Sequence, residues 1–168
     1  MNTQSWYVVH TKPHKEGELN AYLQSVGIKT YYPTIHVHPV NPRSRSIRPY
    51  FPRYLFVHVR LTEVGLSVFK WAPGATRLVE FGGYPAKVPE GVIHQLQKHL
   101  KAVEAAGGNN LDGLVPGDPV RIVDGPLAGY EAIFNLRLSG NERVQVLLDM
   151  LGRQVHAQID ADAIEKKR

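Results

Sequence analysis

Apolar residues in the first hundred positions form short continuous runs and longer helical stripes. The short runs, rich in aromatic and β-branched residues, predict strands at residues 6–9, 28–32, 54–59 and 76–81. A period near 3.6 predicts two amphipathic helices, one on Leu19, Tyr22, Leu23 and Val26, and one on Val92, Ile93, Leu96, Leu100 and Val103. A short helix is predicted over residues 64–71. Strands interleaved with helices on one sheet predict an α/β sandwich.

The last third of the chain has a different pattern. Residues 102–116 run from helix-forming residues into a Gly-Gly-Asn-Asn cluster, which is typical of a linker. Beyond it, short strands are predicted at residues 119–123, 132–138, 143–149, 155–159 and 163–165, with turn residues between them. The predicted organisation is a domain at 1–101, a linker at 102–116 and a small β-barrel at 117–168, which makes the chain α+β as a whole.

Composition narrows the function classes. The 168 residues are 43% apolar and 21% charged, as in a globular protein. The chain contains no cysteine, which excludes disulfides, thiolate zinc sites, iron–sulfur clusters and cysteine nucleophiles. The first residues do not have the pattern of a signal peptide. No apolar run approaches the roughly 18 residues that a membrane span needs. A cytoplasmic protein without membrane contact is therefore expected.

The positive charge is concentrated in one stretch. The net charge is +5, and no acidic residue occurs between Glu18 and Glu63. That interval contains six basic residues, namely Lys29, Arg43, Arg45, Arg48, Arg53 and Arg60. A long block of one sign favours a polyanionic partner, and the alternative is a solvated loop that lacks acids by chance.

No catalytic constellation can be assembled from the sequence. His36 and His38 can share a strand face, but zinc normally takes at least three protein ligands. The glycine-rich segment 125–129 lacks the Lys-Ser/Thr of a phosphate-binding loop. The prediction is a protein that is not an enzyme and has neither a metal nor a cofactor.

Two segments carry a family resemblance. Residues 50–57, YFPRYLFV, resemble the central strand of NusG-type N-terminal domains. Residues 117–129, with Gly117-Asp118 at one end and Gly125-Pro126-Leu127 followed by Gly129 at the other, resemble the KOW motif of the same family. In their order and spacing, the two motifs extend the resemblance over nearly the whole chain.

The resemblance implies a transcription elongation or antitermination factor. Its N-terminal domain would have an antiparallel sheet with flanking helices and would bind the clamp helices of RNA polymerase near the non-template DNA strand. Its five-stranded KOW barrel would recruit a small-subunit ribosomal protein or Rho, and the protein would be a monomer. Residues 54–57, 92–96 and 131–134 are more similar to the specialised RfaH-like antiterminators than to general NusG. The alternative is a KOW-containing RNA-binding protein of the translation apparatus.

The resemblance also assigns candidate sites. The polymerase-binding residues would be Tyr50, Phe51, Tyr54 and Phe56. The nucleic-acid-binding residues would be Lys12, His14, Lys15, Arg43 and Arg45. The partner-binding residues of the KOW domain would be Phe134, Met150, Leu151 and Arg153, with Leu151 where the family often has a Rho-contacting aromatic residue. By strand periodicity Tyr54 and Phe56 share one face, either as a binding surface or as plain core.

The C-terminal segment also fits a helix. Val144, Leu147, Leu148, Leu151 and Val155 follow the helical period. RfaH-like proteins fold this domain either as a free barrel or as a helical hairpin docked on the N-terminal domain. Three features favour the barrel: Gly152 would cost a helix roughly 1 kcal/mol, β-branched residues are frequent, and Arg48 and Arg143 would repel each other if docking brought them together. The barrel is therefore the expected resting state, with the docked hairpin as the alternative.

Overall fold

The computed structural model describes residues 3–36, 47–105, 131–134 and 138–166. In chain order the strands of this part are β1 (Ser5–Thr11), β2 (Lys29–Tyr31), β3 (Thr34–His36), β4 (Ile47–Pro49), β5 (Tyr54–Val59), β6 (Ala75–Leu78), β7 (Glu80–Phe81), β8 (Tyr84–Pro85) and β9 (Lys87–Val88). The helices are α1 (Glu16–Ser25), α2 (Leu61–Val64), α3 (Val68–Trp71), α4 (Glu90–Ala105) and α5 (Gly140–Lys166), with a short 3-10 helix at Glu131–Phe134. None of the described helices combines the length and hydropathy of a membrane span.

An antiparallel sheet in the order β2-β5-β1-β6 forms the centre, and β9 also pairs with β1. Strands β3 and β4 form one separate two-stranded sheet, and β7 and β8 form another. In the central pair Val8 lies opposite Phe56 and His10 lies opposite Tyr54. The predicted α/β sandwich with an antiparallel sheet and flanking helices is confirmed for this part of the chain.

Each face of the sheet has its own hydrophobic core. Leu55 and Val57 of β5 pack with helices α1, α2 and α3 on one face. Tyr54 and Phe56 belong to the other core, together with residues of α4 and α5. Side chains of successive strand residues point to opposite faces, so the predicted division of β5 is confirmed.

The helices predicted by periodicity agree with the structure in most positions. All five apolar residues predicted for the second long helix are buried in α4. Leu19 and Leu23 of α1 are fully buried. Tyr22 of α1 and Val26, which directly follows the helix, were both counted in the predicted stripe but are exposed. The helix predicted at 64–71 is instead two one-turn helices, α2 and α3, with the left-handed Gly65 between them. The strand predicted at 76–81 is divided into β6 and β7.

The C-terminal segment differs from the predicted barrel. The strands predicted at 143–149, 155–159 and 163–165 all lie within the single helix α5. The segment 132–138 begins in the 3-10 helix rather than in a strand. The strand predicted at 119–123 lies outside the described residues. The helical alternative is the one that the described residues adopt.

Local chemistry at the start of α5 favours the helix. Ser139 Oγ accepts from the backbone N–H of Glu142 at 3.2 Å, and Glu142 Oε1 accepts from the backbone N–H of Ser139 at 3.1 Å. This reciprocal pair is a capping box, which satisfies backbone donors that a helix start leaves free. Both hydrogen bonds lower the pKa of Glu142. Sequence analysis placed turn residues between the strands predicted at 132–138 and 143–149, and it missed this signal.

Candidate functional site

Four aromatic side chains, Tyr50, Phe51, Tyr54 and Phe56, form a contiguous cluster that we call the aromatic face. The rings of Tyr50 and Phe51 meet edge-on at 5.0 Å between centroids, and those of Phe51 and Phe56 at 5.7 Å. Tyr54 packs instead on the ring of His10 at 5.0 Å. Tyr50, Phe51 and Phe56 are fully buried, and Tyr54 is partly buried.

A tight turn holds the aromatic face together. The backbone N–H of Tyr54 donates to the carbonyl of Phe51 at 3.1 Å. Arg53 has a positive φ of 72°, a conformation that few residues other than glycine adopt. Its carbonyl accepts from the N–H of Thr11 at 2.8 Å, which ties the turn to the end of β1. The aromatic side chains are therefore presented by a fixed backbone.

Helix α5 covers the aromatic face. Leu147, Met150 and Leu151 of α5 have no exposed surface and belong to the same core as Phe51 and Phe56. Burial of side chains of this size stabilises by roughly 1.5–3 kcal/mol each, so the contact is a substantial part of the fold. Three of the four predicted polymerase-binding residues thus lie inside the protein in this state.

Arg143 fixes the first turn of α5 to the aromatic face. Its guanidinium lies 4.0 Å above the centroid of the Tyr50 ring, and its Nε donates to the Tyr50 carbonyl at 3.0 Å. A second guanidinium nitrogen donates to the Leu138 carbonyl. Burial lowers the pKa of Arg143, although nearby Tyr50 and Glu142 partly oppose this effect. Arg48, which was expected to repel Arg143 if docking brought the two together, is exposed, whereas Arg143 is buried.

The 3-10 helix fills the space between α4 and the aromatic face. The Tyr50 hydroxyl donates to the Ile133 carbonyl at 2.6 Å. The Phe134 ring meets the ring of His99 edge-on at 5.8 Å. Nε2 of His99 is buried and has no hydrogen-bond partner among the described residues. Burial lowers the pKa of His99, the charge of Arg143 lowers it further, and a hydrogen bond with the Phe134 backbone partly offsets both.

Three of the predicted nucleic-acid residues, Lys12, His14 and Lys15, directly follow the C-terminal end of β1, before α1. Lys12, His14 and Lys15 are all exposed. The N–H of Lys12 donates to the Gly74 carbonyl at 2.8 Å. At Gly74 a Cβ atom would lie 3.0 Å from the Lys15 Cβ, and its φ is +88°, so only glycine permits this approach. The turn before β6 is thereby placed beside the basic side chains.

Trp71 is an exposed aromatic residue that sequence analysis did not single out. It ends α3, three residues before Gly74, and 77% of its surface is exposed. The ammonium of Lys70 lies 5.4 Å from its ring centroid. A single tryptophan in a short amphipathic segment does not distinguish a surface ring from a core ring, so only the structure reveals this one.

The remaining predicted site residues are divided between buried, exposed and undescribed positions. Phe134, Met150 and Leu151 are buried against the N-terminal domain, whereas Arg153 is exposed. Arg43 and Arg45 lie outside the described residues. The described residues contain no group of three potential metal ligands.

Comparison with known proteins gives the family. The family model "NusG: Transcription termination factor nusG" matches residues 4–97, more than half of the chain. The chain belongs to the NusG family. The match includes the whole aromatic face and the basic residues before α1, and it ends within α4.

Several NusG relatives extend the similarity over the C-terminal part. "Transcription termination/antitermination protein NusG" from Streptomyces coelicolor is 24% identical over 96% of this chain, which spans only 62% of that relative's length. The proteins of the same name from Pseudomonas aeruginosa and Staphylococcus aureus are 25% and 24% identical, and in both cases 97% of their length is covered. A solved structure, "Domain interaction in Thermotoga maritima NusG", is 21% identical with a TM-score of 0.42, over 73% of this chain and 67% of that one.

Proposed function

We propose that this NusG-family chain is a transcription elongation and antitermination factor that binds RNA polymerase through its aromatic face, and that α5 blocks this face in the described state. The observation that carries the proposal is the position of Leu147, Met150 and Leu151 in one core with Phe51 and Phe56. The relatives' name, transcription termination/antitermination protein, supports the general role.

Polymerase binding at the aromatic face would require release of α5, which covers it. Phe51 and Phe56 are fully buried in the core that Leu147 and Met150 of α5 share, so a polymerase helix can pack on them only if that core is opened. The apparent affinity is then the intrinsic affinity reduced by the fraction of molecules in which α5 is released. This covered face favours a specialised, RfaH-like factor over a general one, because a general factor gains nothing from being blocked.

The released factor would act without catalysis. By holding the polymerase clamp closed, it would shift the enzyme away from paused conformations. A KOW-type C-terminal domain would recruit a partner, either a small-subunit ribosomal protein or Rho. Phe134, Met150 and Leu151 are buried in the docked state, so recruitment through them also requires release.

A second surface would contact the non-template DNA strand. Lys12, His14 and Lys15 are exposed while α5 is docked, and Trp71 stands exposed three residues before the turn that meets Lys15. Cations that follow the backbone together with an aromatic ring for base stacking are the usual means of binding single strands. Arg43 and Arg45 remain predicted members of this surface.

The test compares polymerase binding before and after release of α5. Leu147→Glu places a charge in the core beneath α5 and is expected to undock the helix, because a buried unpaired carboxylate is costly. Ala157→Glu adds the same charge on the exposed side of α5 and serves as the matched control. Capture by polymerase clamp helices should increase at least tenfold for Leu147→Glu and remain unchanged for Ala157→Glu.

The aromatic face is then tested in the released protein. In the Leu147→Glu background, Tyr54→Ala should reduce polymerase capture, since Tyr54 is only partly buried and its loss leaves the core nearly intact. Tight capture of the wild-type chain with α5 still docked, or unchanged capture after Tyr54→Ala, would show that polymerase binds elsewhere.

A further inference from the structure

Two exposed arginines, Arg53 and Arg77, lie at the edge of the aromatic face. In the pairing of β1 with its neighbours, His10 lies opposite Tyr54 of β5 on one side and opposite Arg77 of β6 on the other. Directly opposed residues share a face of the sheet, so these three form one row across three strands. Arg53 precedes Tyr54 in the chain. We call Arg53, Tyr54, His10 and Arg77 the arginine row.

The side chains of the arginine row lie close together. The rings of His10 and Tyr54 are 5.0 Å apart between centroids. Arg53 Nε donates to the Thr11 carbonyl at 3.4 Å, which holds this guanidinium at the end of β1. Burial lowers the pKa of His10, and the positive charges of Arg53 and Arg77 lower it further. Burial raises the pKa of Tyr54, and the same two charges oppose that rise, so both rings lie in a positive potential.

The positive charge of the arginine row is not neutralised locally. In the part of the chain that the structure describes, no carboxylate pairs with Arg53 or Arg77. Arg60, just beyond β5, shows the usual alternative, since it pairs with Glu63 at 3.3 Å. Arginine is enriched at protein interfaces, and its planar guanidinium matches the geometry of a carboxylate. The two arginines therefore suit a protein partner with acidic side chains.

We propose that Arg53 and Arg77 bind carboxylates on the polymerase helix that the aromatic face binds, and that their charge speeds its association. This inference rests on the proposed function and adds the chemistry of the partner, an apolar stripe flanked by acidic side chains. From Tyr54 to Arg77 the row spans two strand spacings, about 10 Å. Two turns of a helix rise about 11 Å, so acidic residues about two turns apart match the row.

The arginine row and the aromatic face have different parts in binding. Arg53 and Arg77 are exposed while α5 is docked, whereas Phe51 and Phe56 are buried. Complementary charges at the rim of an interface mainly raise the association rate, and they do so less at high salt. Attraction by the arginines thus acts in both states of α5, and contact with the aromatic face still requires release.

Association kinetics with immobilised RNA polymerase test the inference. All variants are made in the full-length Leu147→Glu chain, so that release of α5 does not limit binding. Arg53→Gln with Arg77→Gln should lower the association rate about tenfold at about 0.1 M salt and change the dissociation rate by less than about threefold. At about 1 M salt the screening length falls from about 10 Å to about 3 Å, and the difference in association rate should disappear.

Matched variants separate charge from structure. Arg53→Lys with Arg77→Lys keeps both charges and should restore most of the lost rate, whereas glutamate at both positions should lower the rate below that of the glutamine variant. Lys98→Gln with Lys101→Gln removes two charges from exposed positions of α4 and should change the rate by less than about twofold. If thermal melting shows that the Arg53 variants are destabilised, Arg77→Gln alone should still lower the rate about threefold.

The outcomes distinguish this inference from the proposed function. An unchanged association rate for the glutamine variant, in a chain that polymerase still captures, overturns the inference alone. So does an equal loss in the Lys98 and Lys101 control, because net charge would then be sufficient. Weaker binding of the glutamine variant to single-stranded DNA, with unchanged association to polymerase, would assign the row to nucleic acid instead. No capture of the Leu147→Glu chain at all contradicts the proposed function and this inference with it.

Discussion

Arg143 shows at the residue scale how carbonyl oxygens and an aromatic ring can accommodate a cation inside the docked interface. The residue is 6% exposed, with carbonyl oxygens of Tyr50 and Leu138 as acceptors and the Tyr50 ring beneath its guanidinium. The planar guanidinium suits this arrangement, since it stacks and donates at the same time. Counting like charges between Arg48 and Arg143 could not reveal it.

Arg143→Ala should therefore weaken the docking of α5. The variant leaves the Tyr50 carbonyl without its donor, and a buried polar group without a partner costs about 1–3 kcal/mol. The loss should be measured as a decrease in the free energy of unfolding in urea. Arg153→Ala, on the exposed side of the same helix, should change that free energy by no more than about 0.5 kcal/mol. Similar losses for both variants would mean that the Tyr50 contacts contribute nothing.

His99 should make docking depend on pH. Its pKa is lowered by burial in the docked state, so the released state binds a proton more readily. Docked-state stability should be constant above the ordinary pKa of about 6.5 and decrease as the pH falls below it. The capping carboxylate of Glu142 also has a lowered pKa. The stability that it contributes is present at higher pH and is lost only as the pH falls below about 4.5, its ordinary value.

Thermal melting at pH 7.5 and pH 5.5 measures this dependence. His10 and His58 also have pKa values lowered by burial, so the informative quantity is the difference between wild type and His99→Leu. The wild type should lose more stability on acidification than the variant. Identical pH dependence in the two proteins would remove His99 from the explanation.

At the scale of the element, the sequence pattern of α5 suits a strand and a helix almost equally. Its alternating Val144, Val146 and Leu148 suit a strand, whereas its capping box and helical stripe suit a helix. Gly152, which disfavours a helix in isolation, has a role in the docked one. A Cβ there would lie 3.2 Å from the Phe81 ring, so glycine permits the close packing of α5 on β7. Packing on the N-terminal domain thus offsets the low intrinsic propensity.

A fragment containing residues 110–168 should lose this helix. Without the N-terminal domain the buried face of α5 has no partner, and most helical stability in proteins comes from such packing. The helical signal of the fragment in circular dichroism should be smaller than the signal of the full-length protein minus that of residues 1–105. A fragment that keeps the complete helical signal would show that α5 is stable by itself.

At the scale of the whole molecule, the two proposed surfaces differ in how they respond to docking. The aromatic face lies beneath α5, whereas Lys12, Lys15 and Trp71 lie by the helices of the opposite face and are exposed with α5 in place. If the proposed function holds, nucleic-acid binding need not wait for release of α5, whereas polymerase binding must. A DNA contact made first would raise the local concentration of polymerase around the docked protein.

The double variant Lys12→Glu with Lys15→Glu should weaken binding to single-stranded DNA. Loss of two phosphate contacts should reduce the slope of log affinity against log salt by about 1.4. Lys98→Glu with Lys101→Glu makes the same charge change on exposed positions of α4. This control should bind single-stranded DNA more tightly than the double variant at Lys12 and Lys15. Fluorescence anisotropy at several salt concentrations measures both. An equal loss in the two double variants would indicate that only net charge matters.

The sequence by itself was sufficient for the antiparallel sheet with its flanking helices and for the division of β5 between two faces. Buried strands and α4 follow strong periodic patterns, and alternation alone assigned Tyr54 and Phe56 to one side of β5. Exposed Trp71 and the half-buried pattern of α1 were not predictable, because periodicity shows which residues share a face but not how far a neighbouring element covers it.

Only the tertiary structure decided the state of α5. Its local preferences for strand and helix nearly cancel, so interactions with residues far away in sequence determine the outcome: Arg143 on Tyr50, Gly152 on Phe81, and Leu147 in the same core as Phe56. These contacts bury apolar side chains and form hydrogen bonds between residues far apart in the chain, so no short segment of the sequence reveals them. Where intrinsic propensities differ by only about 1 kcal/mol per residue, packing against a preformed surface determines which structure is adopted.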